Sequence, residues 1–189
     1  MTSTETPARI LAVCTGNICR SPVVERLLAA RLAGTDVQVA SAGTHAVVGN
    51  PVSAPMVPLL QSAGADASGF TAQQLTAELV RDADLVLALT RSHRTAIVEL
   101  VPAAVRRTFT LRELARLVAH LDLETLHAAG DTPAARLRAL PALAAGVRHV
   151  AGLGDDDVFD PYGQSDAVYL ASYEEIAPAV DTIAAALVR

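Results

Sequence analysis

The sequence has no tryptophan, and three tyrosines and three phenylalanines bring its aromatic share to only 3%. Aromatic platforms that stack single-stranded nucleic acid are therefore not expected. Basic charge is also scarce. Fifteen basic residues face twenty acidic ones, a net charge of −5, which argues against a general nucleic-acid binder. There are two cysteines, Cys14 and Cys19, too few to staple a chain of 189 residues or to build a zinc site by themselves. His45, His93, His120, His127 and His149 show no ligand spacing such as His-x3-His, so no metal is implied. A glycine-rich nucleotide loop with its Lys-Ser/Thr ending is missing too, and no organic cofactor is expected. No apolar run reaches about 18 residues, so no membrane span is expected despite 51% hydrophobic residues. Residues 1–9 lack the basic patch and apolar stretch of a secretory signal, and the expected setting is soluble and cytoplasmic.

What is present is an alternation of short apolar runs and helical periods. Residues 9–13 (RILAV) read as a buried strand ending at Cys14. Ser21 before Pro22 suggests a helix N-cap, with Val23, Val24, Leu27, Leu28 and Leu32 at helical spacing behind it and Gly34 as the stop. Further strands are expected at 37–41, 84–88 and 108–111. Helices are expected at 53–63, 71–81, 91–100, 113–121 and 166–189, with Pro178 a candidate bend. This alternation predicts a single α/β domain spanning 1–189. It would be doubly wound, with a four-stranded parallel sheet, helices on both faces and a phosphate-binding loop after the first strand. Residues 120–154, rich in Ala, Leu and Arg, read as a helical excursion without a legible role.

The loop after the first strand carries the chemistry. Cys14-Thr15-Gly16-Asn17-Ile18-Cys19-Arg20-Ser21-Pro22 lies between a strand's carboxyl end and a helix's amino end, where ligands of open α/β sheets bind. Backbone N–H groups there converge on anions. Arg20 adds a planar fork able to hold two oxyanion oxygens. Cys14, six positions before Arg20, then stands at the mouth of a cradle for a tetrahedral oxyanion, placed to attack phosphorus and form a phospho-cysteine. Ser21 is placed to hydrogen-bond the sulfur and assist its departure. Such a transfer needs a proton donor for the leaving oxygen and a base for water. Asp160, held extended by Pro161, suits both tasks in turn. Asp155, Asp156 and Asp157 are the competing carboxylates, although an acidic run is ordinarily a solvated loop.

The segment Cys14 to Pro22 resembles the signature loop of the low-molecular-weight protein tyrosine phosphatases. The resemblance continues through Ser41-Ala-Gly-Thr44, Gly49-Asn-Pro51, the run from Asp84 to His93, and Asp160-Pro-Tyr-Gly163. It leaves out about residues 120–154. It implies a cysteine-dependent phosphomonoester hydrolase acting on a phosphotyrosine-containing protein. Cys14 would be the nucleophile, Arg20 the phosphoryl holder and Asp160 the general acid. Thr15, Gly16, Asn17, Ile18, Cys19 and Ser21 would form the binding loop, and Tyr162 one wall of the cleft. Asn17 is expected to fix the loop through its amide, and Cys19 is a candidate to trap an oxidised Cys14 as a disulfide. Ile18 tilts the reading toward a flat phenyl ring, because a related subgroup acting on phosphoarginine carries Thr at the matching position. Two departures stand out. Val47 and Val48 replace an aromatic second wall, and Tyr162 is followed by Gly163 where many relatives carry a second aromatic. The alternatives are a thiol-dependent arsenate reductase, a phosphoarginine phosphatase, and a non-catalytic oxyanion or phosphopeptide module. The first lacks a resolving cysteine outside the loop.

Overall fold

The computed structural model describes residues 6–188. The expectations on residues 1–5 and on residue 189 lie outside the described residues. The chain begins with β1 (Ala8–Cys14), whose residues are buried except for Arg9. It continues through α1 (Arg20–Arg31), β2 (Val37–Gly43), α2 (Met56–Ser62), α3 (Ala77–Asp82), β3 (Leu85–Ala88), α4 (Arg91–Leu100), a 3-10 turn (Pro102–Arg107) and β4 (Thr108–Thr110). The elements that follow are all helices: α5 (Leu111–Val118), α6 (Leu123–Ala128), α7 (Pro133–Gly146), α8 (Arg148–Ala151) and α9 (Asp166–Val188), with an irregular segment at 152–165 before the last. The four strands are parallel in the order β2-β1-β3-β4.

Alternation along each strand divides the core. Ile10, Ala12, Leu85 and Leu87 face a cluster shared with α1, α2, α5, α7 and α9. Leu11, Val13, Val86 and Ala88 face Val80, Ile97, Val101 and Ala104 on the other side. Helices thus cover both faces, as expected of a doubly wound sheet. On α1, Val23, Val24, Leu27 and Leu28 are almost fully buried. At about 1.5–3 kcal/mol per buried aliphatic side chain, they anchor the helix that carries Arg20. No helix among the described residues is long and apolar enough to cross a membrane.

Two local expectations are corrected. Ser21 does not cap α1. The helix starts at Arg20 behind Cys19, which makes no side-chain cap, and Ser21 is turned inward to the loop. The helix expected at 71–81 forms only over Ala77–Asp82, where Thr76 accepts a hydrogen bond from the Leu79 amide. The preceding residues instead run alongside β2: Gly43 N–H donates to Gln73 O and Leu75 N–H to Gly43 O. Those tertiary hydrogen bonds outweigh helix propensity. Helix α9 continues through Pro178 without a break.

The excursion at 120–154 forms α6, α7 and α8, and Ala134, Leu137, Leu140 and Ala144 of α7 enter the larger core cluster. Some of its polar contacts fall just ahead of the strands, while others reach α5 and α9. The Ala134 amide donates to Asp36, and Arg138 reaches the Thr6 carbonyl and Asp84. This places α7 along the amino-terminal edge of the sheet, opposite the loop that follows β1.

Candidate active site

The loop at 14–20 is held from outside by its own carbonyls. Thr44, His45 and Val47 amides donate to the oxygens of Cys14, Thr15 and Gly16, and Ser53 donates to Ile18 O. In a trans peptide the next N–H points opposite to the carbonyl. The amides of Thr15, Gly16, Asn17 and Cys19 therefore aim away from the 44–53 segment and into the loop. Gly43 makes this approach possible, because a Cβ there would collide with the Thr15 carbonyl.

Asn17 is the internal strut. It is fully buried and left-handed at φ 53°, a conformation that Asn tolerates better than other non-glycine residues. Its Nδ2 donates to Ser21 Oγ (2.9 Å) and Ser41 Oγ (2.8 Å), and its Oδ1 accepts from the Gln73 amide (2.8 Å). Ser41 Oγ in turn donates to Glu25 Oε2 (2.6 Å), whose carboxyl is pushed up by burial. Ser21 Oγ lies 3.0 Å from Cys14 Sγ. With Asn17 donating to it, the Ser21 hydroxyl has two acceptors in reach of its own proton, the sulfur at 3.0 Å and the Ala42 carbonyl at 3.5 Å.

Arg20 is buried, its side chain only 5% exposed. Nη1 donates to Val158 O (3.1 Å) and Nη2 pairs with Asp160 Oδ2 (2.7 Å), while Nε is buried without a partner. An unpaired buried guanidinium N–H costs free energy unless an acceptor reaches it. Asp160 is half exposed, and its Oδ1 accepts from the Tyr162 amide (3.2 Å).

Cys14, Thr15, Gly16, Ile18, Cys19, Arg20, Asp160 and Tyr162 line one cleft of about 180 Å³, together with His45 and Val47. Asn17 and Ser21 stand behind it, fully buried. Val48 is exposed and outside the lining, so Val47 and His45 form the second wall. Both cysteines are free, and burial pushes the Cys19 thiol up.

Asp155, Asp156 and Asp157 lie outside the cleft and tie down the segment that presents Asp160. They pair with Arg112, Arg116 and Arg91 respectively. Beyond them, Glu175 accepts from the Phe159 amide and Ser172 donates to the Phe159 carbonyl.

Sequence reasoning missed His93. It is buried at the start of α4, with Nε2 2.9 Å from Thr15 Oγ1 and Nδ1 2.9 Å from Thr90 Oγ1. Burial first, and the Arg20 charge second, hold it down at about 4, so it is neutral at pH 7. The available signal was its place three residues after Thr90, the cap of the one helix whose bounds the sequence predicts fully.

A sequence model described as "Low molecular weight phosphotyrosine protein phosphatase" matches residues 9–132. The Escherichia coli (strain K12) low molecular weight protein-tyrosine-phosphatase Etp is 44% identical over 93 residues, 49% of this chain and 62% of that protein. A protein-arginine-phosphatase from Geobacillus stearothermophilus is 33% identical over 94% of this chain and 95% of its own. Among solved structures, the Erwinia amylovora tyrosine phosphatase AmsI superposes with a TM-score of 0.70 at 26% identity. That superposition covers 100% of this chain and 98% of the other.

Proposed function

Because this chain belongs to the low molecular weight phosphotyrosine protein phosphatase family, we propose that it hydrolyses phosphomonoesters of protein tyrosine through a phospho-cysteine. The observation that carries this reading is the convergence of Cys14, the buried Arg20 fork and Asp160 on one cleft. Cys14 Sγ attacks phosphorus opposite the ester oxygen, and an S–P bond forms as the P–O bond breaks. The phosphoryl oxygens take hydrogen bonds from Arg20 and from the loop amides, which stabilise the charge of the transition state. A dianionic substrate competes with Asp160 for the guanidinium, and this releases the carboxyl toward the leaving oxygen. Freed from Arg20, Asp160 takes a proton from solvent and gives it to that oxygen. It then takes a proton from water, whose oxygen displaces sulfur from phosphorus and yields inorganic phosphate. Ser21 donates to the departing sulfur. The chemistry requires Cys14 in its reduced form, which fits the cytoplasm.

Ile18 and Tyr162 offer an apolar slot for a phenyl ring. A second reading, hydrolysis of protein phosphoarginine, is favoured by one observation: the arginine phosphatase aligns along 94% of this chain. The deciding experiment compares phosphotyrosyl and phosphoarginyl peptides with chelator present, using wild type, Cys14→Ser and Asp160→Asn. Phosphotyrosine is expected to give the higher kcat/KM. Cys14→Ser should be inactive, and Asp160→Asn slower by about 10²–10⁴-fold. A preference for phosphoarginine would replace the substrate. No turnover of either peptide by the reduced protein would overturn the hydrolase reading in favour of an oxyanion-binding module or an arsenate reductase served by an external thiol.

A further inference from the structure

The excursion that the sequence left without a role helps to build a second cleft. It lies between the 3-10 turn and α7 and measures about 610 Å³. Asp84 precedes β3 and Arg107 precedes β4, so this cleft opens at the amino-terminal edge of the sheet, opposite Cys14. The two clefts share no lining residue.

Its walls carry Arg94, Arg106, Arg107, Arg138 and Arg148, against one acid, Asp84. The chain has no lysine, so these are five of its fifteen basic residues, gathered on one concavity of a protein whose net charge is −5. Two of the five are offset. Arg138 pairs with Asp84 at 3.5 Å and Arg148 with Glu113 at 3.0 Å. The other three keep their full charge. Arg94 donates to the Thr108 carbonyl, and Arg107 donates to the carbonyls of Val80 and Arg81. Arg107 Nε is buried with no partner. Arg106 is exposed and has no ion pair or hydrogen bond among the described residues.

Like charges on a concave, partly apolar wall raise the local potential and concentrate anions. Guanidinium is also the cation that matches phosphoryl oxygens two at a time. Three guanidinium charges without a carboxylate exceed the roughly −1.5 to −2 of one phosphate, and Arg106 keeps its whole fork free while Arg94 and Arg107 commit N–H groups to backbone carbonyls. The volume falls in the range of roughly 300–1,000 Å³ typical of small-molecule sites. Pro141 and Ala145 supply an apolar floor beside the charges. The overall negative charge disfavours a long nucleic acid. We propose that this cleft binds a small molecule carrying two or more phosphoryl groups. The proposal does not depend on the reaction assigned to Cys14.

The test is calorimetric titration of the full chain, in physiological salt, with inorganic tripolyphosphate, ADP and a poly-glutamate peptide. Wild type is compared with Arg106→Glu, Arg106→Lys and Arg20→Met. Binding of tripolyphosphate or ADP should weaken by about tenfold or more in Arg106→Glu and recover in Arg106→Lys. It should persist in Arg20→Met, which disables the Cys14 cradle. Equal affinities for tripolyphosphate and ADP would mean that the phosphate chain alone is recognised, and tighter ADP that the carbon body is held as well. Both support the site. Since Arg106 has no structural partner, Arg106→Glu is decisive even if Arg20→Met does not fold. The proposal is overturned by wild-type binding that Arg106→Glu leaves within about twofold, or by no heat from either phosphate probe at about 1 mM. Tighter binding of poly-glutamate than of either phosphate probe would overturn it in favour of an acidic protein segment.

Discussion

Replacing Asn17 by aspartate changes one NH2 to an oxygen and should redirect a proton inside the Cys14 loop. The amide now donates to Ser21 and Ser41 and accepts from the Gln73 N–H. A carboxylate keeps only the last of these. Ser41 cannot compensate, because its single proton is held by Glu25 at 2.6 Å. Ser21 can, by turning its hydroxyl toward the new acceptor, and Cys14 then loses its donor at 3.0 Å. A hydrogen bond to a charged group contributes about 1.5–3 kcal/mol. If that difference falls on the transition state, kcat drops by roughly 10- to 150-fold. Asn17→Ala removes all three hydrogen bonds, about 1 kcal/mol each. It also places alanine at φ 53°, which costs about another 1–2 kcal/mol. The expected loss of unfolding free energy is about 4–5 kcal/mol. With no tryptophan to report fluorescence, unfolding in guanidinium is best followed by circular dichroism, and turnover with para-nitrophenyl phosphate. The double variant Asn17→Asp/Ser21→Ala should be no slower than the slower single variant, since both act on one proton. An unfolding midpoint unchanged in Asn17→Ala, or a kcat within about twofold in Asn17→Asp, would refute the argument.

Two further outcomes follow from groups outside the loop. His93 is held down at about 4 by burial and the Arg20 charge, against an ordinary 6.5. The unfolded chain therefore takes up a proton as pH falls through 6.5, while the folded chain waits until about 4. Stability contributed by neutral His93 should fall by about 2 kcal/mol between pH 7.5 and pH 5, and His93→Asn should flatten that slope in denaturant melts. An unaltered slope in the variant would show that other groups set it. Asp156 is paired with Arg116, both largely buried. Asp156→Asn should lower stability by about 1–3 kcal/mol by leaving a cation without its carboxylate. It should also lower kcat with little change in KM, because the same segment presents Asp160. Additive losses in Asp156→Asn/Asp160→Asn would refute that link.

The parts of the site that sequence could supply are local. The strand from residue 8 to 14, the loop and the entry to α1 are consecutive, and a short chain segment with a fixed spacing of Cys14 and Arg20 already implies an anion cradle. Helix α4 was readable to the residue because its cap, its apolar face and the proline after it all lie within one window. What failed failed for the converse reason. Residues 71–76 have no local signal for their extended path. They take it because Gly43 and Asn17 bind their backbone from far away in the chain. Ser21 looked like a cap because the rule for caps is local, whereas its hydroxyl is claimed by Cys14 and Asn17.

Sequence alone determined the layer architecture and the place of the loop, because hydrophobic period and turn chemistry act over a few residues. Only the tertiary structure decided how those groups are held. His93 meets Thr15 across 78 positions, Arg20 meets the Val158 carbonyl across 138, and Arg138 of α7 lines one cleft with Arg106 and Arg107 of the 3-10 turn at the far edge of the sheet. Each of these contacts is fixed by packing of the helices on the sheet rather than by chain neighbours. Distances between residues so remote in the chain are properties of the packed core, and no spacing in the sequence encodes them.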